Sequence, residues 1–260
     1  MITTILNGGL GNQLFQIAVA YALAEDNNDE CAFNFDRTVV HQGNSPLKYE
    51  NNLYSKLNKL PLNWTPSTIY AEPRFNYERI PYKDELKLIG YFQSEKYFSR
   101  YKVELTSLFL NDVVVREVID KLWREYYIYL CGNSVSLHIR RGDYVNFKDI
   151  HTNLSPTYYS DALRLIDNID YVLVFSDDIP WCKENITGRS FIYVEGLQDY
   201  EDLCLMSLCK NNIIANSSFS WWAAYMNNNP HKMVVAPFHW FGHAFKDEWE
   251  DIYTNEMIVI

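Results

Sequence analysis

Short apolar runs separated by amphipathic stretches dominate the second half of the chain. Helical stretches include one that begins at Ser155-Pro156, one over 198–210 and one capped by Ser217 or Ser218. Strands that alternate with helices predict a right-handed parallel sheet covered on both faces. The runs that predict its strands are VSLHI (135–139), YVLVF (171–175), FIYV (191–194), NIIA (212–215) and KMVVA (232–236).

The first half of the chain alternates less regularly. A glycine loop, GGLG (8–11), follows an apolar run over 1–6 and precedes apolar residues at helical spacing, which predicts a strand, a loop and a helix. The region 36–82 is rich in Asn, Pro and Tyr, which is typical of loops and suits recognition of an acceptor. The other elements predicted here are strands over 31–35 and 86–92 and helices over roughly 94–110 and 113–126.

Polar and charged residues directly follow five of the predicted strands. In open α/β sheets, ligands bind beyond the carboxyl ends of the strands, so these residues should lie near one rim. Together they predict a binding cleft between two α/β halves. The residues concerned are 7–13, 140–143, 176–178, Glu195-Gly196 and 216–218.

Charge and cysteine content exclude several classes of protein. The 260 residues carry a net charge of −10, which excludes the broad basic surface that nucleic-acid binding needs, and they suffice for one large or two smaller domains. Five cysteines without a CxxC pair argue against a disulfide framework or a zinc site and predict reduced, mostly buried thiols. Without a basic leader or an apolar stretch of about 20 residues, we expect a cytoplasmic protein with no transmembrane segment, which leaves room for peripheral membrane contact.

Two adjacent arginines follow the strand over 135–139. Strand alternation would place His138 and Arg140 on one face and Arg141 on the other face or beyond the edge. Neighbouring guanidinium groups repel each other, and in an acidic chain a dianionic ligand explains them well, because Arg binds phosphate oxygens through paired hydrogen bonds. Ion pairs with nearby acids such as Asp143 explain them equally well. Both interpretations stay open at this point.

The glycine loop and two further strand ends also carry candidate chemistry. The loop and the following helix start offer bare backbone N–H groups to an anion, or form only a tight turn; Leu14 breaks the dinucleotide-binding pattern. Asp177 and Asp178 could hold a divalent metal, contact a base or ribose, or cap the next helix. The Trp pair in NSSFSWW (216–222) is more typical of core packing than of a sugar platform.

Four segments, taken in order, resemble the motifs of glycosyltransferase family 11, the α-1,2-fucosyltransferases. The region 36–130 carries little resemblance, and there we expect acceptor choice to vary. The four segments are GGLGNQLFQIAVAYALA (8–24), HIRRGDYV (138–145), SDD (176–178) and DYEDLCLMSLCKNNIIANSSFSWWAAYMN (199–227).

The resemblance implies an α/β fold with two Rossmann-like domains facing across a cleft, of the GT-B type. Residues 1–128 would form an acceptor-side domain, to which 243–260 could belong, and 129–242 a domain that binds GDP-fucose. The implied reaction is transfer of L-fucose from GDP-fucose to the 2-hydroxyl of a terminal galactoside with inversion. The partners would be GDP-fucose and a galactose-containing glycan, without cofactor or metal.

The resemblance also assigns residues to roles. Arg140 and Arg141 would grip the diphosphate. Independently of the resemblance, Asp143 is the acid nearest to the arginines in the sequence, and it would be the base or orient an arginine. Stabilising the charge that develops on the departing phosphate is the main task of such arginines. Gly11, Asn12 and Gln13 would line the sugar and acceptor side. The residues assigned to the donor are His138, Asp177, Asp178, Asn216, Ser217, Ser218 and Phe219.

Two other functions remain open from the sequence. Asp177 and Asp178 could form the magnesium or manganese site of a metal-dependent glycosyltransferase that uses another nucleotide sugar. The many aromatic residues and a charged cleft would also serve a non-catalytic protein that binds nucleotide sugars or glycans. The intact run Arg140-Arg141-Gly-Asp143 favours turnover.

Overall fold

The computed structural model describes residues 1–35, 44–147 and 149–260 and divides the chain into two units. Unit 1 comprises residues 1–115 and 247–254, and unit 2 comprises residues 116–246 and 255–260. The chain therefore leaves unit 1 at Val115, ahead of the position 128 expected from the sequence. The acceptor and donor roles given to the two domains remain predictions.

Unit 1 contains a parallel sheet with the strand order β1-β3-β2. Single bridges extend it beyond β1, from Ile2 to Cys31 and from Phe33 to Lys59, so the strand expected over 31–35 is reduced to isolated pairs. The predicted strand over 86–92 ends at Ile89, and β2 lies in the region expected to be loops. The strands are β1 Ile2–Thr4, β2 Thr68–Ala71 and β3 Leu86–Ile89.

A long buried helix follows the glycine loop of unit 1, as predicted. This helix, α1, spans Leu10–Asp26, and α2 spans Lys102–Phe109. The helix expected over 94–110 is wrong in its first part, where two 3₁₀ turns replace it. Ser94 caps the first turn by accepting from the Lys96 N–H, and Phe98, with φ −143° and ψ 5°, leaves the helical conformation and separates the two turns.

A segment distant in sequence completes unit 1. The Phe75 N–H donates to the Asp247 carboxylate, and the Tyr77 N–H donates to Asp251 at 3.0 Å. Asp251 also pairs with the Lys96 ammonium. Residues 247–254, which include a 3₁₀ turn over Glu250–Ile252, are thus held to the loops that flank β3.

Unit 2 contains parallel strands in the order β6-β5-β4-β7-β8-β9 among its described residues. The five strands predicted from the apolar runs are confirmed, and the α/β class with parallel sheets is confirmed with them. The sixth strand was not predicted. The strands are β4 Ser134–Ile139, β5 Tyr171–Ser176, β6 Phe191–Tyr193, β7 Asn211–Ile213, β8 Val234–Ala236 and β9 Met257–Val259.

The helices of unit 2 alternate with its strands. The helix expected over 113–126 instead runs through α3, Asp112–Val114, and a π turn over Val115–Ile119 into α4, Asp120–Cys131. A capping box, Gln198 with Glu201, begins α7. Trp221 and Trp222 are fully buried, which fits the expected core packing. The other helices are α5 Pro156–Arg164, α6 Ile179–Asn185, α7 Asp199–Leu208 and α8 Ser218–Met226.

The cysteines fit the reduced, mostly buried thiols expected from the sequence. All five cysteines are free, and Cys182, Cys204 and Cys209 are buried. Burial raises the pKa of the Cys204 and Cys209 thiols to about 12, so both stay protonated at neutral pH. Within the described ranges, no helix has both the length and the apolar character needed to cross a membrane.

Candidate active site

The strand order of unit 2 reverses direction between β4 and β7. In doubly wound sheets this switch point opens a crevice at the carboxyl ends of the strands, where ligands bind. Leu137 of β4 pairs with Ile213 of β7, so Arg140 and Asn216 lie at corresponding positions just beyond the two strands. The sheet therefore brings two of the sequence-predicted segments together at its most favourable binding position.

Arg140 is held between two carboxylates. One terminal nitrogen, Nη1, lies 2.8 Å from Asp177 Oδ2, and the other, Nη2, contacts Asp143 Oδ1 at 2.5 Å. The guanidinium also lies 5.3 Å from the centre of the Tyr144 ring. About a third of the Arg140 side chain is exposed, so the group is fixed in place and still reachable by a ligand.

Arg141 has different side-chain partners from Arg140. Its guanidinium lies 3.7 Å from the centre of the Trp181 ring, and its Nε donates to Asp178 Oδ2 at 3.0 Å. Its backbone N–H donates to Asp177 Oδ1 at 2.9 Å. Asp177 thus bridges the two arginines, because its Oδ2 contacts the Arg140 guanidinium and its Oδ1 accepts the Arg141 backbone N–H.

The Ser176-Asp177-Asp178 segment organises the arginines from the end of β5. Asp178 caps α6 by accepting from the Trp181 N–H, which is one of the alternatives raised by the sequence. A side-chain carbon on Gly142 would lie 2.5 Å from Asp177 Oδ2, so glycine is what lets this carboxylate approach the backbone. Any role of these aspartates toward the guanosine remains a prediction.

The arginines are already ion-paired in this structure. Three carboxylates, of Asp143, Asp177 and Asp178, surround the two guanidinium groups. The ion-pair interpretation therefore describes the contacts in this structure correctly. These ion pairs leave hydrogen-bonding capacity on both arginines, because each guanidinium has five N–H donors and the carboxylates accept only some of them. The remaining donors are fixed in direction and available to an anion.

His138 lies at the same strand end and is electrically neutral. Burial, with a smaller contribution from the Arg140 charge, lowers its pKa to about 3. Its ring packs 5.5 Å from the Phe219 ring in the first turn of α8, and its Nδ1 has no hydrogen-bond partner among the described residues. A contact from His138 to the nucleotide, as predicted, would be a neutral hydrogen bond.

The segment 216–218 joins β7 to the start of α8. Ser217 is the N-cap and its hydroxyl accepts from the Phe219 N–H. The Asn216 amide nitrogen donates to the carbonyl oxygens of Thr152 and Trp240, so this side chain ties two loops to the strand end. The positive end of the α8 dipole and its first N–H groups meet the crevice, which favours an anion there.

A stacked pair of rings beside Arg140 was not predicted. The His151 ring lies 4.0 Å from the Tyr144 ring, and the two planes differ by only 6°. The Tyr144 hydroxyl donates to the Asn216 carbonyl oxygen at 3.1 Å. Tyr144 lies within the predicted motif HIRRGDYV, but only the structure shows that the following loop brings His151 back onto the Tyr144 ring.

The glycine loop of unit 1 is held by amide side chains. Gly8 has φ +81°, and a side-chain carbon there would lie 2.5 Å from the Asn12 amide nitrogen. The Gln13 side chain is fully buried, donates to the Gly8 and Asn44 carbonyl oxygens and accepts from the Tyr54 hydroxyl. Gln13 therefore shapes the loop from beneath. Contact of Gly11, Asn12 or Gln13 with a sugar remains a prediction.

Glu72 in unit 1 is a titratable group that the sequence did not single out. Burial raises its pKa to about 7, although its carboxylate accepts the N–H groups of Tyr91 and Phe92. Phe92 has φ +52°, which is uncommon outside glycine, and Glu72 helps hold that turn. Such a perturbed carboxyl at a strand end is typical of functional regions.

The carboxylates fit a metal poorly. Across the described ranges, no group of three or more His, Cys, Asp or Glu side chains is arranged to hold an ion. The carboxylate oxygens of Asp177 and Asp178 already contact two arginines and cap a helix. A cation at this position would have to compete with fixed guanidinium groups.

Comparison with known proteins identifies relatives along the whole chain. The family model described as Glycosyl transferase family 11 matches residues 1–260. An alpha-1,2-colitosyltransferase from Escherichia coli is 33% identical over 93% of this chain and 92% of that protein. A galactoside 2-alpha-L-fucosyltransferase from Caenorhabditis elegans is 27% identical over 88% of this chain and 70% of that protein.

A solved structure shares the fold at low identity. The fucosyltransferase NodZ from Bradyrhizobium superimposes with a TM-score of 0.53 at 14% identity, covering 85% of this chain and 92% of that one. At this identity the likeness concerns the fold alone. It agrees with the α/β architecture of parallel sheets described above.

Proposed function

We propose that this chain, which belongs to glycosyl transferase family 11, transfers L-fucose from GDP-fucose to the 2-hydroxyl of a terminal galactoside, with inversion and without a metal. One observation carries the proposal: Arg140 and Arg141 follow β4 and the start of α8 follows β7, on the two sides of the switch point of a doubly wound sheet. A dianionic diphosphate is the ligand that this combination of donors suits best.

The reaction leaves negative charge on the departing GDP. As the bond from fucose C1 to the β-phosphate oxygen breaks, its electron pair stays on that oxygen. Arg140 is already oriented by Asp143 and Asp177, so its remaining N–H groups stabilise this charge with little reorganisation. One such preorganised donor typically lowers the barrier by about 3 kcal/mol.

Arg141 and α8 hold the remainder of the diphosphate in this proposal. The Trp181 ring covers one face of the Arg141 guanidinium and leaves the N–H edge available. The hydroxyls of Ser217 and Ser218 stand at the positive end of α8. His138 contributes a neutral ring, and Asp178 fixes the orientation of the Arg141 guanidinium by accepting from its Nε.

The arrangement of charges supports a reaction without a metal. Two guanidinium groups and a helix start supply the positive charge that a magnesium or manganese ion would otherwise bring. The paired state of Asp177 and Asp178 with these guanidinium groups supports this part of the proposal.

A second donor is favoured by a specific observation. The relative that is 33% identical is named a colitosyltransferase. Colitose is L-fucose that lacks the 3-hydroxyl group, so a site for one sugar needs little change to hold the other. The choice rests on whether the site hydrogen-bonds the 3-hydroxyl, because leaving such a buried polar group unpaired discriminates strongly.

A donor and acceptor screen with linkage analysis tests the proposal. We expect fucose from GDP-fucose to appear on the 2-hydroxyl of a β-galactoside, with activity unchanged in excess EDTA. Transfer to a different hydroxyl, or a strict need for another nucleotide sugar, would contradict the specificity. Activity lost in EDTA and restored by manganese would establish a metal-dependent enzyme, and saturable binding without GDP release would establish a binding protein.

A further inference from the structure

The imidazole of His151 lies close enough to Arg140 and Asp143 for their charges to act on its pKa. Its ring is stacked on Tyr144, and the Tyr144 ring also lies against Arg140. About half-buried, it has no hydrogen-bond partner for either ring nitrogen among the residues that the structure describes. The ring nitrogens are therefore available for a hydrogen bond or a proton transfer with a substrate at this site.

The backbone around His151 is fixed by several contacts. Its N–H donates to the Phe147 carbonyl oxygen at 2.9 Å, and it forms an antiparallel bridge with Phe241. The Thr152 hydroxyl donates to the Phe241 carbonyl oxygen, and Asn216 donates to the Thr152 carbonyl oxygen. The ring is therefore preorganised by the same asparagine that marks the switch point, while its nitrogens stay uncommitted.

His151 is better suited to accept a proton than its titratable neighbours. Burial lowers its pKa below the ordinary 6.5, Asp143 opposes this and the Arg140 charge adds to it, so the ring is neutral at pH 7. Asp143 already accepts from Arg140, and using it as a base would weaken the hold on the donor. His138 is almost entirely buried.

We propose that His151 is the general base that takes the proton from the acceptor hydroxyl. This inference rests on the proposed function. As the acceptor oxygen forms its bond to fucose C1, its proton passes to an unprotonated nitrogen of His151, and the electron pair of the breaking C1–O bond stays on GDP. The imidazolium then returns the proton to water.

Two variants separate chemistry from packing. His151→Phe keeps an aromatic ring on Tyr144 and removes both nitrogens, whereas His151→Gln keeps a polar group and removes the base. We expect both to lower kcat by about 10²-fold or more, the lower end of the range for acid–base catalysis. GDP affinity, measured by calorimetry, should stay within twofold. His231→Gln, an exposed histidine beyond α8, is the matched control and should transfer normally.

The pH profile supplies a readout that a packing role would not move. Wild-type kcat should fall at low pH, with a midpoint below 6.5, because the protonated imidazole cannot accept. The charges that act on this ring are those of Asp143 and Arg140, and the Asp149–His243 pair flanks its bridge. In His151→Phe this fall should disappear from the residual activity.

The outcomes distinguish the inference from its premise. A wild-type protein that transfers no fucose to any galactoside refutes the proposed function. An active wild type with His151→Phe near normal shows that the ring only packs, and refutes the inference. Weakened GDP binding in both variants, with an unchanged pH profile, would also overturn it. If His151→Phe fails to fold, His151→Gln and the wild-type profile decide.

Discussion

Replacing Arg140 by alanine tests the donor-phosphate assignment most directly. The substitution removes the guanidinium that lies between Asp143 and Asp177 and leaves those two carboxylates without their shared cation. The local charge falls from −1 to −2, counting Asp143, Asp177 and Asp178 against the arginines. Both binding and stability should therefore change, in amounts that the structure allows us to separate.

The stability cost should be small. Each ion pair of Arg140 is about one third exposed, and pairs of that kind contribute roughly 0 to 1 kcal/mol. With some repulsion between the freed carboxylates, we expect a loss of about 1–2 kcal/mol, or a decrease in Tm of about 2–8 °C. Against a typical stability of about 5–15 kcal/mol, the variant stays almost fully folded at 25 °C.

The catalytic cost should be larger and of a different origin. Loss of one preorganised donor to the departing phosphate costs about 3 kcal/mol, or about 10²-fold in kcat. Arg140→Lys restores the charge without the planar fork, so it should recover stability more than activity. Release of GDP at saturating donor, together with thermal melting, measures both effects in one set of samples.

The matched control is Arg164→Ala. Arg164 is three quarters exposed and pairs with Asp161 on α5, so its loss should leave transfer unchanged. A folded Arg140→Ala protein with near-normal kcat would refute the donor-phosphate role. A loss of activity that merely follows the unfolded fraction would make the arginine structural.

Three further substitutions extend the test to other features. Gly8→Ala, at φ +81° and 2.5 Å from a side-chain nitrogen, should cost about 1–3 kcal/mol in denaturant unfolding. Burial raises the pKa of Glu72 from 4.5 to about 7. Because the unfolded chain releases this proton first, the free energy of unfolding of the wild type should fall by up to about 3 kcal/mol as pH rises through that interval. Glu72→Gln should abolish this component, which denaturant unfolding at pH 4 and pH 8 measures. Trp181→Leu removes the ring under Arg141 and should raise the Kd for GDP about 2- to 30-fold by calorimetry, whereas Trp123→Leu should not.

The predicted strands of unit 2 were the easiest elements to find. Strands of covered parallel sheets are rich in apolar residues, and each of the five stands out between polar stretches, including β6, which is only half-buried. The last strand, β9, is three residues long and only half-buried at an edge, so its sequence carries little of that signal. In unit 1, β2 alternates half-buried and exposed residues within a loop-rich region, which hid it in the same way.

The candidate site divides along similar lines. Residues at the ends of β4, β5 and β7 could be predicted to converge, because parallel strands share one carboxyl edge. The stacking of His151 on Tyr144 and of Arg141 on Trp181 could not, since both depend on how loops return after the strands end. The three alternatives for Asp177 and Asp178 likewise needed geometry, which shows arginine contacts and a helix cap.

The threading of the chain between the two units constrains how the protein can be made and cut. The polypeptide passes from one unit to the other at 115/116, at 246/247 and again at 254/255. During synthesis, neither unit can finish folding until the segment 247–260 has left the ribosome. Unit 1 needs the 3₁₀ turn Glu250–Ile252, and unit 2 needs its edge strand, β9. A stop codon before residue 247 would leave both halves incomplete at once, and a cut that releases the segment after it would do the same. Expressing either unit alone therefore requires a rearranged gene that splices its distant tail back onto it.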